Sequence, residues 1–240
     1  MIIVTHRANL LLALSIGMLL TLIVRVAFLE KPSITTMASP LGNRTICVDA
    51  GHGSPDGGAV SDSGTTEKEI NLSIAMKLKE LLEASGARCV MTRTDDFGIY
   101  DPQMKTIRDK KRSDLNNRKK IMEQSDIDIV VSIHLNKFEQ SQYFGAQVFY
   151  APDNVEGQRL GRILQKSLID ILQNGNTRVA KSVPEHVFVL KDITKPATII
   201  ECGFLSNYNE EQLLKTEQYQ MKLAWSIYMG LMQYYEPVNQ

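Results

Sequence analysis

The sequence predicts an α/β fold in a single domain, with a mostly parallel or mixed twisted sheet, helices on both faces of that sheet, and an N-terminal membrane segment before it. From about residue 44, short apolar runs typical of strands alternate with longer segments in which apolar residues recur at helical spacing. Such alternation builds sheets that are covered on both faces. The chain has 240 residues and is 43% hydrophobic, which is enough for one well-packed core.

Residues 1–29 stand apart from the fold. His6 and Arg7 precede an apolar run over residues 8–24, and further apolar residues follow Arg25. A basic start before an apolar run is typical of export signals. At about 1.5 Å per residue, the run barely covers a membrane core about 30 Å thick. We expect a cleaved signal peptide or a membrane anchor, and the missing small-x-small cleavage site favours the anchor with its N-terminus inside.

Residues 30–43 have the composition of a linker, because Pro32, Pro40 and Gly42 interrupt a polar stretch without hydrophobic period. We place the folded domain at residues 44–240. It opens with a predicted strand over 45–49, a helix over 67–84 and a strand over 87–92, which together form a βαβ unit. The apolar face of the helix consists of Ile70, Ile74, Leu78 and Leu81.

The rest of the domain continues the alternation of strands and helices. Asp153 and Asn154 are candidate N-caps for one of these helices. We predict, in order, a helix after Ser113 to about residue 124, strands over 127–133 and 145–150, a helix ending at Leu172, strands over 187–190 and 197–202, and helices from about Asn207 and Thr216.

The charge of the chain argues against nucleic acid as a partner. The formal net charge is zero, whereas proteins that bind phosphate backbones usually carry a basic excess. Residues 96–120 are locally basic, with eight Lys or Arg residues against four Asp residues. A solvated loop and helix face is the default interpretation of this segment. The alternative is a surface that attracts the carboxylates of a substrate.

The three cysteines are predicted to be core residues, because Cys47, Cys89 and Cys202 lie in apolar strand-like runs and form no CxxC pair. A bridge between Cys47 and Cys89 remains open if their strands are neighbours. Cys202 is disfavoured as a nucleophile, because no histidine lies in its segment.

Polar residues at strand exits are the candidates for chemistry, because parallel sheets place functional groups beyond the carboxyl ends of their strands. His52 follows the first strand, His134 follows the strand over 127–133, and Glu201 ends the strand from Ala197. A catalytic zinc needs about three ligands of the His and carboxylate type and one open position. The third candidate ligand is Glu67 or Glu69. The two lie about 200° apart on one helix, so both cannot face one metal ion, and Glu67 is preferred.

Each of these residues also has a structural interpretation. Glu67 could be a carboxylate favoured by the dipole at a helix N-terminus. Glu201 could form a surface salt bridge, although its apolar flanks argue against this. Asp49 either orients a ligand imidazole or caps an Asx turn. His186 is predicted to be a groove or surface residue rather than a fourth ligand.

Four segments in this order resemble the motifs of the zinc-dependent N-acetylmuramoyl-L-alanine amidase family. They are Asp49-Ala50-Gly51-His52-Gly53, Glu67-Lys68 with Asn71-Leu72, Ser132-Ile133-His134-Leu135-Asn136, and Ile200-Glu201-Cys202-Gly203-Phe204-Leu205-Ser206-Asn207. The resemblance covers residues 44–235. It implies that His52, Glu67 and His134 hold Zn²⁺ and that Glu201 is catalytic.

The resemblance also assigns less specific roles. Asp49 and Asn136 lie in the motifs, and Arg93 and Arg118 match family positions whose role is less certain; together they are candidates for supporting the metal ligands or binding substrate. For both arginines, structural ion pairs are the favoured interpretation.

The resemblance implies hydrolysis of the amide bond between the muramic lactyl group and L-alanine in peptidoglycan. Zinc polarises the carbonyl and acidifies water, and Glu201 moves the proton to the departing amine. The short layout, with a basic insertion near residues 99–112, resembles spore-cortex members that act in germination and allow muramic lactam to form. That analogy suggests an exported enzyme at the forespore or cortex, with a partner protein or a partner deacetylase.

Three alternatives remain. One is a peptidoglycan-binding module with weak or partner-dependent activity, which the retained ligand set disfavours. A zinc carboxypeptidase acting on stem peptides is the second, since the metal chemistry is the same. A nucleotide-binding βαβ protein is the third, but Asp56 stands where the last glycine of G-x-G-x-x-G should be.

Overall fold

The computed structural model describes residues 12–21, 39–183 and 187–236. The chain divides into two compact units, residues 1–38 and 39–240. In the first unit, residues 12–21 are helical (α1). Within the described part of the chain, no helix is both long and apolar enough to cross a membrane. The rest of the predicted export or anchor segment, and the linker up to residue 38, lie outside the described residues.

The second unit contains a six-stranded mixed sheet. Its strands are β1 (Thr45–Ala50), β2 (Arg88–Met91), β3 (Ile129–Asn136), β4 (Gln147–Tyr150), β5 (Lys181–Ser182) and β6 (Ala197–Phe204). They are arranged in the order β2-β1-β3-β6-β4-β5. The pairs β1–β2, β1–β3, β3–β6 and β4–β5 are parallel, whereas β4 is antiparallel to β6. The predicted single α/β domain with a mixed sheet is confirmed.

Five helices accompany the sheet: α2 (Glu67–Ala84), α3 (Ile107–Met122), α4 (Val155–Leu172), α5 (Tyr208–Leu214) and α6 (Glu217–Tyr235). The side chains of Asn154, Asn207 and Thr216 accept hydrogen bonds from backbone N–H groups in the first turns of α4, α5 and α6. These N-caps fix where the three helices begin. The predicted starts of all three helices are therefore confirmed.

Two predicted elements are wrong. Helix α3 begins at Ile107 rather than after Ser113, because the Thr106 side chain caps it by accepting from the Asp109 N–H. The apolar run over 187–190 forms a short 3₁₀ helix, Phe188–Leu190, instead of a strand. The short strand β5 was not predicted, because both of its residues are polar and exposed.

Apolar layers cover both faces of the sheet. Helices α2, α4 and α6 pack on one face with Ile46, Val48 and the odd-numbered residues of β3 from 129 to 133. The opposite layer joins Cys47 and Val130 to Met122 of α3 and to the segment 187–193. Helices therefore lie on both faces, as predicted.

The cysteines occupy the core or its edge, and all three are free. Cys47 is paired in register with Val90, whereas Cys89 is paired with Ile46. Because neighbouring residues along a strand point to opposite faces, Cys47 and Cys89 lie on opposite sides of the sheet. The two strands are neighbours, but this register excludes a disulfide between Cys47 and Cys89.

Candidate metal centre and cleft

The three predicted strand exits meet at one edge of the sheet. Strands β1, β3 and β6 are adjacent and parallel, so their carboxyl ends lie side by side. His134 and Glu201 are direct partners across β3 and β6. His52 follows β1 by two residues and has a left-handed backbone conformation with φ of 62°. Helix α2 brings Glu67 to the same edge, because it is the first residue of that helix.

His52, Glu67 and His134 form a compact group of metal-ligating side chains. Their donor atoms all lie within 4.8 Å of one another. His52 Nε2 lies 3.3 Å from Glu67 Oε2, and His134 Nδ1 lies 3.0 Å from Glu67 Oε1. Two imidazole nitrogens and a carboxylate are ligands that zinc prefers. The group could therefore hold a metal ion.

Glu67, and not Glu69, belongs to this group. The Glu67 side chain is 4% exposed and accepts hydrogen bonds from the backbone N–H groups of Ala59, at 2.8 Å, and Leu135, at 3.0 Å. Burial alone would raise the pKa of Glu67, but the hydrogen bonds from His134 and His52 bring it below its usual value. The Glu69 side chain is 66% exposed and faces Lys68. The carboxylate nearest the two imidazoles is therefore fixed by backbone donors from the loop before α2 and from β3.

Two glycines make room for the metal-ligating group. A Cβ at Gly51 would overlap the His134 ring. Gly58 has φ of 69°, and a Cβ there would lie 2.5 Å from Glu67 Oε2 and 2.7 Å from the His52 ring. Only glycine combines this backbone conformation with so close an approach.

His52 is oriented by Asp56, a residue that the sequence did not identify for this role. Asp56 Oδ2 lies 3.0 Å from His52 Nδ1, on the side of the ring away from Glu67. The hydrogen bond from His52 is the main reason that the pKa of Asp56 lies well below its usual range. Metal-bound histidines usually donate their second N–H to such a carboxylate.

Asp49 does not orient an imidazole, so that prediction is wrong, and the alternative of an Asx turn is wrong too. Its carboxylate accepts from Thr92 Oγ1 at 2.7 Å, from Ser132 Oγ, and from Arg118 Nη1 at 2.6 Å. The Gly51 N–H instead donates to the carbonyl of Ile133. Asp49 is thus part of a buried polar network beneath the centre.

Arg118 and Arg93 donate hydrogen bonds to the main chain at the end of β1 and just after it. Arg118 is 2% exposed, pairs with Asp49 and Asp114, and donates to the carbonyls of Ala50, at 2.7 Å, and His52. Its predicted structural ion pairs are confirmed. Arg93 makes no ion pair with the described residues. It donates instead to the carbonyl oxygens of Ala50, Gly51, Lys68 and Asp95 at 2.7–3.0 Å.

The centre opens into a cleft of about 290 Å³. Helix α3 forms one wall, residues 187–189 form another, and His52, His134 and Glu201 line the cleft as well. Burial raises the pKa of Glu201 to about 7. Among the described residues, no hydrogen-bond partner reaches its Oε2 atom. This carboxyl is therefore suited to exchange protons near neutral pH.

Two further candidate residues are Asn136 and His186. Asn136 ends β3, and its carbonyl accepts from the Leu205 N–H at 2.8 Å, but the residue does not line the cleft. Its role in substrate binding stays a prediction. His186 lies outside the described residues.

Comparisons with known proteins agree with this geometry. The family described as N-acetylmuramoyl-L-alanine amidase matches residues 46–233. The germination-specific N-acetylmuramoyl-L-alanine amidase of Bacillus subtilis is 35% identical over 217 residues, covering 90% of each chain. The CwlD amidase of Clostridioides difficile, solved in complex with the GerS lipoprotein, has a TM-score of 0.77 and 45% identity over 80% of this chain and 98% of that one. An N-acetylmuramoyl-L-alanine amidase of Clostridium difficile 630 has a TM-score of 0.69 and 30% identity over 82% and 98%.

Proposed function

The chain belongs to the N-acetylmuramoyl-L-alanine amidase family and is an amidase of peptidoglycan, and we propose that zinc held by His52, Glu67 and His134 carries its reaction together with Glu201. The bond cleaved in this proposal joins the lactyl carbonyl of N-acetylmuramic acid to the L-alanine of the stem peptide. The observation that carries the proposal is the convergence of His52, His134 and Glu201 on one cleft, with Glu67 between the imidazoles.

The donor set supports zinc as the metal. Catalytic zinc sites commonly have three ligands of the His and carboxylate type and leave one position open. Asp56 would fix His52 as the tautomer that presents Nε2 to the metal. A zinc ion bound there supplies Lewis-acid chemistry, polarising the amide carbonyl and lowering the pKa of water toward 7.

Glu201 would move the protons of the reaction. It would take a proton from the attacking water and then deliver it to the nitrogen of the departing L-alanine, so that the amine leaves neutral. Burial raises the pKa of Glu201, which favours the protonated carboxyl that the second step requires. The products are a glycan without its peptide and a stem peptide with a free N-terminus.

Two other functions would use the same residues. A zinc carboxypeptidase would cut within the stem peptide, and a peptidoglycan-binding module would hold the wall without efficient cleavage. The family match over residues 46–233 favours the amidase over the carboxypeptidase. The complete group of His52, Glu67, His134 and Glu201 favours an active enzyme over a binding module.

We extend the proposal to the spore cortex. The Bacillus subtilis relative is named a germination-specific amidase, and its match covers 90% of both chains. Removal of stem peptides in cortex would leave muramic acid free to form the lactam. The Clostridioides difficile relative was solved with a lipoprotein, which makes a lipoprotein or another exported protein a candidate partner here. A peptidoglycan substrate places the action outside the cytoplasm.

The test is product identification with the purified, zinc-loaded full chain on peptidoglycan. Intact glycan and peptides with free N-terminal alanine are expected by mass spectrometry. Shortened peptides that remain attached to glycan would instead establish a carboxypeptidase, and no release with retained wall binding would establish a binding module. Glu201→Gln should keep zinc and lose cleavage, whereas His52→Ala should lose both. Zinc loss in Glu201→Gln would contradict the role assigned to Glu201.

A further inference from the structure

Helix α3 presents one charged and apolar face to the cleft. The residues of this face are Lys111, Asp114, Leu115 and Arg118, which recur at the spacing of one helix face. Asp114 and Arg118 are buried and belong to the polar network beneath the centre. Lys111 lies one turn before Asp114, and its side chain is 52% exposed. The cleft therefore has a cationic group at the outer end of this face.

Lys111 differs from the other cationic group of the cleft wall. Among the Lys and Arg side chains that line the cleft, Arg118 already donates to two carboxylates and two backbone carbonyls. The Lys111 ammonium has three N–H donors, and the described residues give it one carboxylate contact, Asp56 Oδ2 at 3.0 Å. It has donors left for an anion that enters the cleft.

Lys111 lies close to the proposed reaction centre. Asp56 Oδ2 lies 3.0 Å from both the Lys111 ammonium and His52 Nδ1, so the ammonium is close to a proposed metal ligand. An anion on Lys111 would thus lie near the reacting amide. The neighbouring wall is apolar, with Leu115 on α3 and Val187 and Val189 opposite. A ligand that fits combines a small apolar group and a carboxylate within a few bonds.

We infer that Lys111 is a specificity-determining residue that binds a carboxylate of the stem peptide, the α-carboxylate of its second residue. This inference rests on the proposed function. In a stem peptide that begins with L-alanine and γ-linked D-glutamate, this carboxylate follows directly after the alanine. The alanine methyl would contact the apolar wall. Some cell walls carry a carboxamide in place of this carboxylate, and Lys111 would then discriminate against them.

The test compares two synthetic muramoyl peptides that differ only in this group, one with the α-carboxylate and one with the carboxamide. The wild-type enzyme should favour the carboxylate peptide by roughly five- to tenfold in kcat/KM, the range for a partly exposed charge-assisted hydrogen bond. Lys111→Met should raise KM for the carboxylate peptide by the same factor and leave the carboxamide peptide unchanged. Lys111→Arg should retain most of the preference, because it keeps the charge.

Lys110→Met is the matched control. Lys110 is the adjacent lysine, but its ammonium lies 5.0 Å from the centre of the Tyr100 ring and the residue does not line the cleft. We expect wild-type preference from this variant. Zinc affinity, measured by competition with a chelator, should be unchanged in Lys111→Met.

The possible outcomes separate the two claims. Equal losses on both peptides, or weaker zinc binding, would show that Lys111 acts through Asp56 and His52, and would overturn the inference. Equal cleavage of both peptides by the wild-type enzyme would also overturn it while leaving the proposed function intact. Failure to release alanine-terminated peptides from peptidoglycan and from both synthetic substrates would refute the proposed function itself.

Discussion

Replacing Arg118 by Met should destabilise the fold severely. The guanidinium is 2% exposed and is the cation nearest the Asp49 carboxylate, at 2.6 Å. Without it, the hydroxyls of Thr92 and Ser132 are the donors that Asp49 retains among the described residues. Removing one partner of a buried ion pair leaves an uncompensated charge and costs about 3–5 kcal/mol. The lost hydrogen bonds to the carbonyls of Ala50 and His52 add to the cost.

Arg88 provides the matched control for this experiment. It pairs with Asp126 on the surface, where the two side chains are 55% and 57% exposed. Because exposed pairs contribute little, Arg88→Met should change the free energy of unfolding by less than about 1 kcal/mol. Urea denaturation of metal-free protein at pH 7 measures both variants. A loss below about 1 kcal/mol for Arg118→Met, with wild-type near-UV circular dichroism, would refute the role given to this ion pair.

The pH dependence gives a second measurement on the same pair. Burial alone would raise the pKa of Asp49, but Arg118 and the hydroxyl donors lower it from 3.8 to about 2. A lowered folded-state pKa contributes stability that is present above pH 4 and is lost as the pH falls toward 2. In Arg118→Met, burial without the cationic partner raises the pKa of Asp49. Protonation of the carboxyl then removes the cost of burying its charge. The destabilisation should therefore be smaller at pH 4 than at pH 7, and Arg118→Met with Asp49→Asn should recover part of it.

Three further predictions concern the metal centre, each measured as zinc content or zinc affinity. Glu67→Gln should lose zinc after dialysis, whereas Glu69→Gln should keep it; equal retention would reject Glu67 as a ligand. Asp56→Asn should weaken zinc affinity by about 10–100-fold, since its hydrogen bond orients His52. Gly58→Ala should lower zinc occupancy by displacing Glu67 and His52, whereas Gly57→Ala, whose Cβ would meet no atom within 4 Å, should not.

The placement of the centre could be predicted because it depends on few features of the sequence. Once β1, β3 and β6 are assigned as parallel strands, their exits must share one edge, and His52, His134 and Glu201 follow from their positions in the chain. Helical geometry separates Glu67 from Glu69 but does not choose between them. That choice requires the backbone donors of Ala59, in the loop before α2, and of Leu135, in β3.

The missed features share a physical cause. Helix α3 begins seven residues earlier than predicted, because residues 107–113 are mostly charged and exposed and so carry no apolar periodicity. Neither predicted role of Asp49, orienting an imidazole or capping an Asx turn, is correct, because its buried partners lie far away in the chain. Asp56 lies in an irregular loop, where no periodic pattern indicates which residue a side chain will meet. Hydrophobic periodicity does not reveal polar networks between distant segments of the chain. Here, such a network supports the metal centre.

The backbone hydrogen bonds around the centre determine the geometry of the proposed ligands. His52 is the first candidate ligand in the chain, and Arg118 holds its carbonyl while Arg93 holds the carbonyl of Gly51. The Gly51 N–H also donates to Ile133, directly before His134. These hydrogen bonds hold the backbones of the two histidine segments in place relative to each other. The scaffold therefore bears the entropic cost of placing the two histidines during folding.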